Sequence, residues 1–336
     1  MLLQSTLIFI TSLILIGLVK KYALNLGLID KPNKRSVHIN PIARGAGIGF
    51  YLAVLIVLPM FNISSLLLYK YTYIATFIIF IAGVLDDYRG ITFNFKFFVI
   101  IVSTILLSFD NIIISTLGIY FSFELSLGWF ALPFTIFAVV GFTNALNLID
   151  GLDGLASSIS IVILISFFTI GYYHNDIFMQ LLSLAFIATL LAFLFYNWYP
   201  ASIFMGDSGS LILGFIISIL AIKSLEYIPT TAILFIAAVP ILDTIVVMIR
   251  RKKNGRSMFL ADRCHIHHII KKLFNDNTKV AVGFLICIQI LYSLFGLSVF
   301  NGINEFYLLS FFILNILLQY YILSLLIKKL NIECKS

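Results

Sequence analysis

Five aspartates stand out because each ends or interrupts a stretch that is otherwise apolar: Asp86, Asp87, Asp150, Asp153 and Asp207. A carboxylate inside or at the edge of a membrane helix is costly to desolvate, so by default it marks a functional site. The first two sit in Gly83-Val84-Leu85-Asp86-Asp87-Tyr88-Arg89-Gly90. Neighbouring side chains on a helix are ~100° apart, so the pair cannot point the same way. One can face a metal or substrate while the other is held by a neighbour. The bland alternative is a solvated helix end paired with Arg89.

Asn144, Asn147, Asp150 and Asp153 follow one another at intervals of three, interleaved with Gly151 and Gly154. On a continuous helix each step of three rotates the side chain by ~60°, putting Asn144 opposite Asp153. A shared site therefore requires the helix to unwind, which the glycines permit. Unwound backbone at membrane depth is tolerated where it lines a cavity or is buried in protein. Hydrogen bonding between helices is the structural alternative.

Further along, Asn197-Trp198-Tyr199-Pro200-Ala201-Ser202-Ile203-Phe204-Met205-Gly206-Asp207-Ser208-Gly209-Ser210 precedes another apolar run. Asp207 at that helix start could be a simple N-cap. The same position suits an anion, and a hard cation such as Mg²⁺ is usually held by one or two carboxylates plus phosphate oxygens. The last cluster is Arg256-Ser257-Met258-Phe259-Leu260-Ala261-Asp262-Arg263-Cys264-His265-Ile266-His267-His268. Its spacing lacks the paired ligands of common zinc sites, whereas histidine and arginine are apt donors to a diphosphate. Carboxylates for a divalent cation and basic donors for phosphate, in a lipid-embedded body, describe phosphoryl transfer at a membrane surface.

The elements that must position these residues are apolar helices. The 336 residues are 61% hydrophobic and 11% charged, with mean hydropathy +1.08. Eleven apolar runs, at roughly 2–19, 46–63, 69–85, 94–109, 127–146, 155–173, 177–196, 209–225, 229–249, 281–299 and 305–327, are each about long enough to cross a ~30 Å hydrocarbon core. The first lacks a basic leader and a small-residue cleavage pattern and reads as a retained helix. Residues 111–126 alternate with period two, which suggests a short outer-face β-hairpin. All Lys and Arg except Lys70 and Lys223 fall on one side if the N-terminus is outside and the C-terminus cytoplasmic. That orientation makes 20–45, 86–96, 144–155, 197–208 and 250–280 cytoplasmic loops of a single domain, 1–336, and gathers the five aspartates on one face. The +7 charge is then a topological signal, with anionic membrane lipids as partners and no nucleic acid. Cys264, Cys287 and Cys334 imply no disulfide framework.

The motifs Gly83-Val84-Leu85-Asp86-Asp87, Asn144 to Leu155, Phe204-Met205-Gly206-Asp207-Ser208-Gly209-Ser210 and His265-Ile266-His267-His268 occur in the order of one family. In them the sequence resembles the polyprenyl-phosphate N-acetylhexosamine-1-phosphate transferases, the glycosyltransferase family 4 group of WecA, TagO and MraY. The resemblance implies an all-α polytopic enzyme of the bacterial cytoplasmic (inner) membrane, with its active site on the cytoplasmic face. Such an enzyme transfers N-acetylhexosamine-1-phosphate from a UDP-N-acetylhexosamine to undecaprenyl phosphate and releases UMP, with Mg²⁺, or alternatively Mn²⁺, as cofactor. A homodimer is one assembly open to it.

By the same resemblance Asp207 and Asp87 are metal ligands, and Asp86, Asp87, Asn147, Asp150 and Asp207 form the catalytic set. Asn144, Asp153, Asn197 and Phe204 belong to substrate binding, Phe204 stacking on uracil. Arg251, Asp262, His265, His267 and His268 line the diphosphate and sugar. Gly90 stands where the family often has a third aspartate, so a three-carboxylate mechanism is not expected. His-x-His-His favours the WecA and TagO branch, and a UDP-GlcNAc-type donor, over the MraY-type pentapeptide substrate. A secondary transporter of an anionic solute is the rival from another class; its site would lie near the bilayer midplane.

Overall fold

The computed structural model describes residues 1–30, 32, 40–257, 264–299, 304–332 and 334. Helix α1 (Leu2–Tyr22) is followed by a two-residue strand pair, β1 (Ile29–Asp30) and β2 (Ile42–Ala43), and by α2 (Ala46–Phe61) and the short α3 (Ile63–Leu68). Next come α4 (Lys70–Arg89), α5 (Phe93–Ser108), the strands β3 (Thr116–Tyr120) and β4 (Phe123–Ser126), then α6 (Ala131–Ile149), α7 (Leu155–Tyr173) and α8 (Ile177–Asn197). The chain ends with α9 (Asp207–Ser224), α10 (Thr230–Ile236), α11 (Ala238–Lys253), α12 (Ile266–Leu273), α13 (Thr278–Ser298) and α14 (Glu305–Lys329).

Each of the eleven apolar runs is helical, yet they are not eleven equal spans. Among the described residues eight helices are long and apolar enough to cross a membrane, or nine if α10 and α11 are taken as one bent span. Helices α2 and α5 have 16 residues each, a rise of about 24 Å, short of a ~30 Å core.

The run at 229–249 is not one straight helix: α10 and α11 meet at 88°. Pro240 explains the break, because in a continuous helix it could not donate to Ile236 O and its ring would crowd that carbonyl. Gln289 of α13, fully buried, satisfies the opened backbone. It donates to Ile236 O at 2.7 Å and accepts from the Val239 N–H at 3.1 Å. The period-two segment forms the expected hairpin, β3 against β4 antiparallel.

Helix α9 is the axis of the molecule, with its side chains from Ser208 to Leu220 buried. Helices α2, α4, α6, α7 and α8 surround it. Close approach is made possible by small residues, as is usual where helices pack in lipid. A Cβ on Gly47 would stand 2.1 Å from Gly209 N, and one on Gly83 2.6 Å from Ser208 Cα. The backbones of α2 and α4 thus lie directly against the first turn of α9, the turn that carries Asp207.

The tail after α14 returns to the loop that precedes α12. Contrary to the expectation from sequence, Cys264 and Cys334 form a disulfide, and Cys287 is free. Seventy positions separate the two cysteines, so only the return of the last helix to the same end of the bundle brings them together. The pairing also removes the Cys264 thiolate that a zinc site would need.

Candidate active site

The first turn of α9 is held from outside the helix. Asp87, buried at the end of α4, accepts the Asp207 N–H on Oδ1 at 2.9 Å and the Ser208 N–H on Oδ2 at 3.0 Å. Those amides have no partner within their own helix, and the carboxylate is also favoured by the helix dipole. Gly206 makes this approach possible: it has φ +73°, and a Cβ there would lie 2.5 Å from Asp87 Oδ2. Arg44 Nη2 donates to the Asp87 carbonyl oxygen, which ties the 40–45 loop to the same point.

Asp86 points elsewhere, as its position on the helix requires. Its Oδ1 accepts the Ile91 N–H at 2.7 Å and its Oδ2 accepts from Lys96 Nζ at 2.7 Å. The Lys96 ammonium also pairs with Asp207 Oδ2. Carboxylates of α4 and α9 are thus joined through one cation from the first turn of α5. Asn147 of α6 completes the cluster, donating from Nδ2 to Asp207 Oδ1 at 3.1 Å and to Ser210 Oγ at 2.7 Å.

The expected unwinding falls between Ile149 and Leu155, just after Asn147. Asp150 lies in that turn, half-buried, with its carboxyl raised from 3.8 to about 7. Burial is the main cause, followed by the negative charges of Asp207, Asp153 and Asp87. Asp87 belongs to α4 and Asp207 to α9, so the charges felt by Asp150 come from separate helices.

The histidines adjoin the same turn. A Cβ on Gly151 would stand 2.2 Å from His267 Nε2, so the imidazole rests on the turn between Asp150 and Asp153. Burial, then the neighbouring His268 and His265, pushes His267 well below the usual histidine range. It therefore acts as a neutral ring at physiological pH. The His267 and His268 rings are 4.2 Å apart, and those of His265 and His267 5.7 Å. His265 Nδ1 is 2.7 Å from Asp243 Oδ2 on α11.

Other residues singled out from sequence build the frame. Asn197 is buried and spends its amide inside the protein, accepting from the Gly154 N–H at 2.9 Å and donating to Ile203 O at 3.0 Å. Asp153 Oδ2 accepts the Ala201 N–H at 2.9 Å. Phe204 has its backbone clamped, donating to Ala43 O at 2.8 Å and accepting from the Ala46 N–H at 3.1 Å. Arg251 is buried at the end of α11. Asn144 lies one turn before Asn147 and makes no hydrogen bond from its side chain to the described residues. Asp262 falls outside the described residues.

A family model described as glycosyl transferase family 4 matches residues 69–225, the stretch from α4 through α9. A Bacillus subtilis (strain 168) relative named probable undecaprenyl-phosphate N-acetylglucosaminyl 1-phosphate transferase is 33% identical over 315 residues, 92% of this chain and 88% of the relative. The chain belongs to glycosyl transferase family 4. Two further members, both named undecaprenyl-phosphate alpha-N-acetylglucosaminyl 1-phosphate transferase, extend the likeness. That of Escherichia coli O157:H7 is 30% identical over 94% of this chain and 88% of the relative, and that of Yersinia pestis 32% over 79% and 75%.

For this family 4 chain, Lys96 is the site residue that sequence reasoning passed over, counting it only as a topological charge. A signal was present. A lysine flanked by phenylalanines in the first turn of an apolar helix, Phe93-Asn94-Phe95-Lys96-Phe97-Phe98, is costly to bury unless a carboxylate receives it.

A divalent cation fits this donor set. Lys96 already places a positive charge between the hard oxygens of Asp86 and Asp207, while Asp87 spends both oxygens on backbone amides. The described residues contain no ready-made cage of three His, Cys, Asp or Glu ligands. The hard carboxylate oxygens of Asp86 and Asp207 are of the kind Mg²⁺ takes, together with waters and phosphate oxygens, to complete its octahedron.

Proposed function

We infer that the protein transfers N-acetylglucosamine-1-phosphate from UDP-N-acetylglucosamine to undecaprenyl phosphate, releasing UMP, as a first membrane step of cell-envelope glycan synthesis. The observation that carries the reading is the convergence of Asp86, Asp207, Asn147 and Lys96 at one end of the bundle, beside a histidine row. This end carries the basic loops, so it faces the cytoplasm, where a nucleotide sugar is available. Its position at a membrane face also separates the protein from a transporter, whose site would lie near the midplane. The relatives' names favour an N-acetylglucosaminyl group over a muramoyl-pentapeptide.

Asp207 and Asp86 would hold Mg²⁺, or Mn²⁺, with Asp87 fixing the backbone of Asp207 from behind. The cation supplies charge neutralisation on the diphosphate. Lys96 adds a second positive charge for phosphate oxygens, and His265 and His268 border the diphosphate and sugar. The lipid phosphate attacks the β-phosphorus directly: its second pKa is near ~6, so it is already largely a dianion at pH 7. A strong base is not required, and Asp150 serves to shape the field around the attacking oxygen. Trapping an acid-labile phosphoprotein with donor alone would overturn direct attack.

The test is UMP release from radiolabelled UDP-N-acetylglucosamine, given undecaprenyl phosphate and Mg²⁺. Wild type should turn over, and Asp207→Asn should lose at least about 100-fold, the upper end of what outer-shell changes cost. A wild type that releases no UMP, or an Asp207→Asn variant of unchanged rate, defeats the reading.

A further inference from the structure

Asp243 is a buried carboxylate in the middle of α11, a helix that is otherwise apolar until its basic end. It has no role in the carboxylate cluster around Asp207. Such a group persists in a membrane helix only where it is paired or has a function. Both of its oxygens are committed to the start of α12. Oδ1 accepts the Ile266 N–H at 2.7 Å, and Oδ2 lies 2.7 Å from His265 Nδ1. With Oδ1 already accepting a main-chain N–H, the carboxylate turns Oδ2 toward His265 as an acceptor, an arrangement that the Nδ1–H tautomer satisfies. Nε2 is then the atom left free, and it makes no hydrogen bond to the described residues.

We propose that Asp243 is a positioning residue for the transfer reaction, locking the tautomer and ring plane of His265 so that Nε2 is presented to the diphosphate of the nucleotide sugar. The inference rests on the transferase reading above and deepens it. Two fixed points define the ring: the Nδ1–H bond to α11, and the Ile266 amide bond that ties the adjoining backbone to the same carboxylate. His265 in turn stacks near-parallel on His267, with 15° between the rings, and His267 rests on Gly151. A carboxylate on α11 thereby sets the geometry of a histidine row that reaches the Asp150 turn. Partners that orient a metal-bound imidazole typically matter by about 10–100-fold when removed, and the same scale is expected of a carboxylate that orients this ring.

Asparagine at position 243 is nearly isosteric but has one acceptor. It can serve the Ile266 N–H or the His265 Nδ1–H, not both. An amide NH₂ turned toward Nδ1 would move the ring proton to Nε2 and invert the tautomer.

The experiment is a double-mutant cycle on detergent-purified full-length protein, with Asp243→Asn, His265→Gln and the double variant. It reads kcat and KM for UDP-N-acetylglucosamine by UMP release, with thermal unfolding recorded beside them. Asp243→Asn should lower kcat about 10–100-fold with KM changed less than kcat. It should cost nothing further once His265 is glutamine. Should the Asn variant fail to fold, the same cycle is run with Asp243→Glu, which keeps both acceptors; it should retain more activity than a removed partner would and again be silent beside His265→Gln. Additive losses, or an Asp243 variant that folds and turns over as wild type does, overturn the positioning role alone. A wild type that releases no UMP overturns the transferase reading, and this inference falls with it.

Discussion

With its ammonium held by Asp86 and Asp207, Lys96 occupies the place between two helix ends where the proposed reaction would bring a metal ion or a phosphate oxygen. Replacing it with methionine leaves two carboxylates facing each other, so a divalent cation should be drawn in more readily while phosphate loses a donor. Lys96→Met should therefore lower kcat/KM by about 10²-fold or more and reduce the Mg²⁺ concentration needed for half-maximal UMP release. An increased Mg²⁺ requirement would contradict this. Asp150 carries a prediction of opposite character. Its carboxyl binds a proton more tightly in the folded protein (about 7) than in the unfolded chain (3.8). Between those values the folded state holds more protons, so stability falls as pH rises through the window, and the cost is complete above pH 7. Asp150→Asn should raise the unfolding temperature at pH 8 without added divalent cation. The gain should narrow by pH 5, and melting curves at the two pH values measure it. The carboxylates were legible in the sequence because charge in an apolar run is rare. The division of labour between Asp86 and Asp87 was legible only as a necessity of helix geometry, since which of them joins the Asp207 side chain through a shared cation depends on where α5 brings Lys96.

At the level of elements, the first turn of α9 is positioned by contacts between backbones. A Cβ on Gly83 would meet Ser208 Cα at 2.6 Å and Asp207 O at 2.7 Å, atoms that cannot swing aside as a side chain can. Gly83→Ala should destabilise by roughly 1–3 kcal/mol through overpacking. Turnover should fall further than the lost stability explains, because the displaced backbone belongs to Asp207. Gly141→Ala on α6 is the control, since its Cβ would meet nothing within 4 Å; melting and UMP-release assays on both variants separate the effects. Element existence was readable from hydropathy, and the hairpin from its period of two. The 88° bend at Ala237 was not, although Pro240 hinted at it. A proline in an apolar run signals only that one hydrogen bond is missing. Whether the helix kinks mildly or breaks depends on a distant partner, here Gln289 of α13, which local pattern cannot supply.

The molecule as a whole has two unlike ends. The carboxylate cluster, the histidine row and the basic end of α11 share one end, while Lys70 and Lys223 lie at the far ends of α4 and α9. The Cys264–Cys334 bridge, with Arg256 Nη1 donating to Cys334 O at 2.6 Å, fixes the tail at the functional end as well. No local pattern could reveal that pairing, since it depends on α14 returning to the loop before α12. Air-oxidised protein, denatured and alkylated without reductant, should accordingly carry one label, at Cys287, and three after reduction. The orientation expected from the distribution of basic residues is open to direct measurement. In a chain whose three cysteines are replaced by serine, Asn254→Cys at the exposed end of α11 and Tyr173→Cys at the exposed far end of α7 report opposite faces. A membrane-impermeant maleimide added to intact spheroplasts should label Tyr173→Cys and leave Asn254→Cys unmodified until the membrane is opened. The reverse pattern would put the carboxylate cluster outside the cell, away from any cytoplasmic nucleotide sugar, and the transferase assignment would lose its donor.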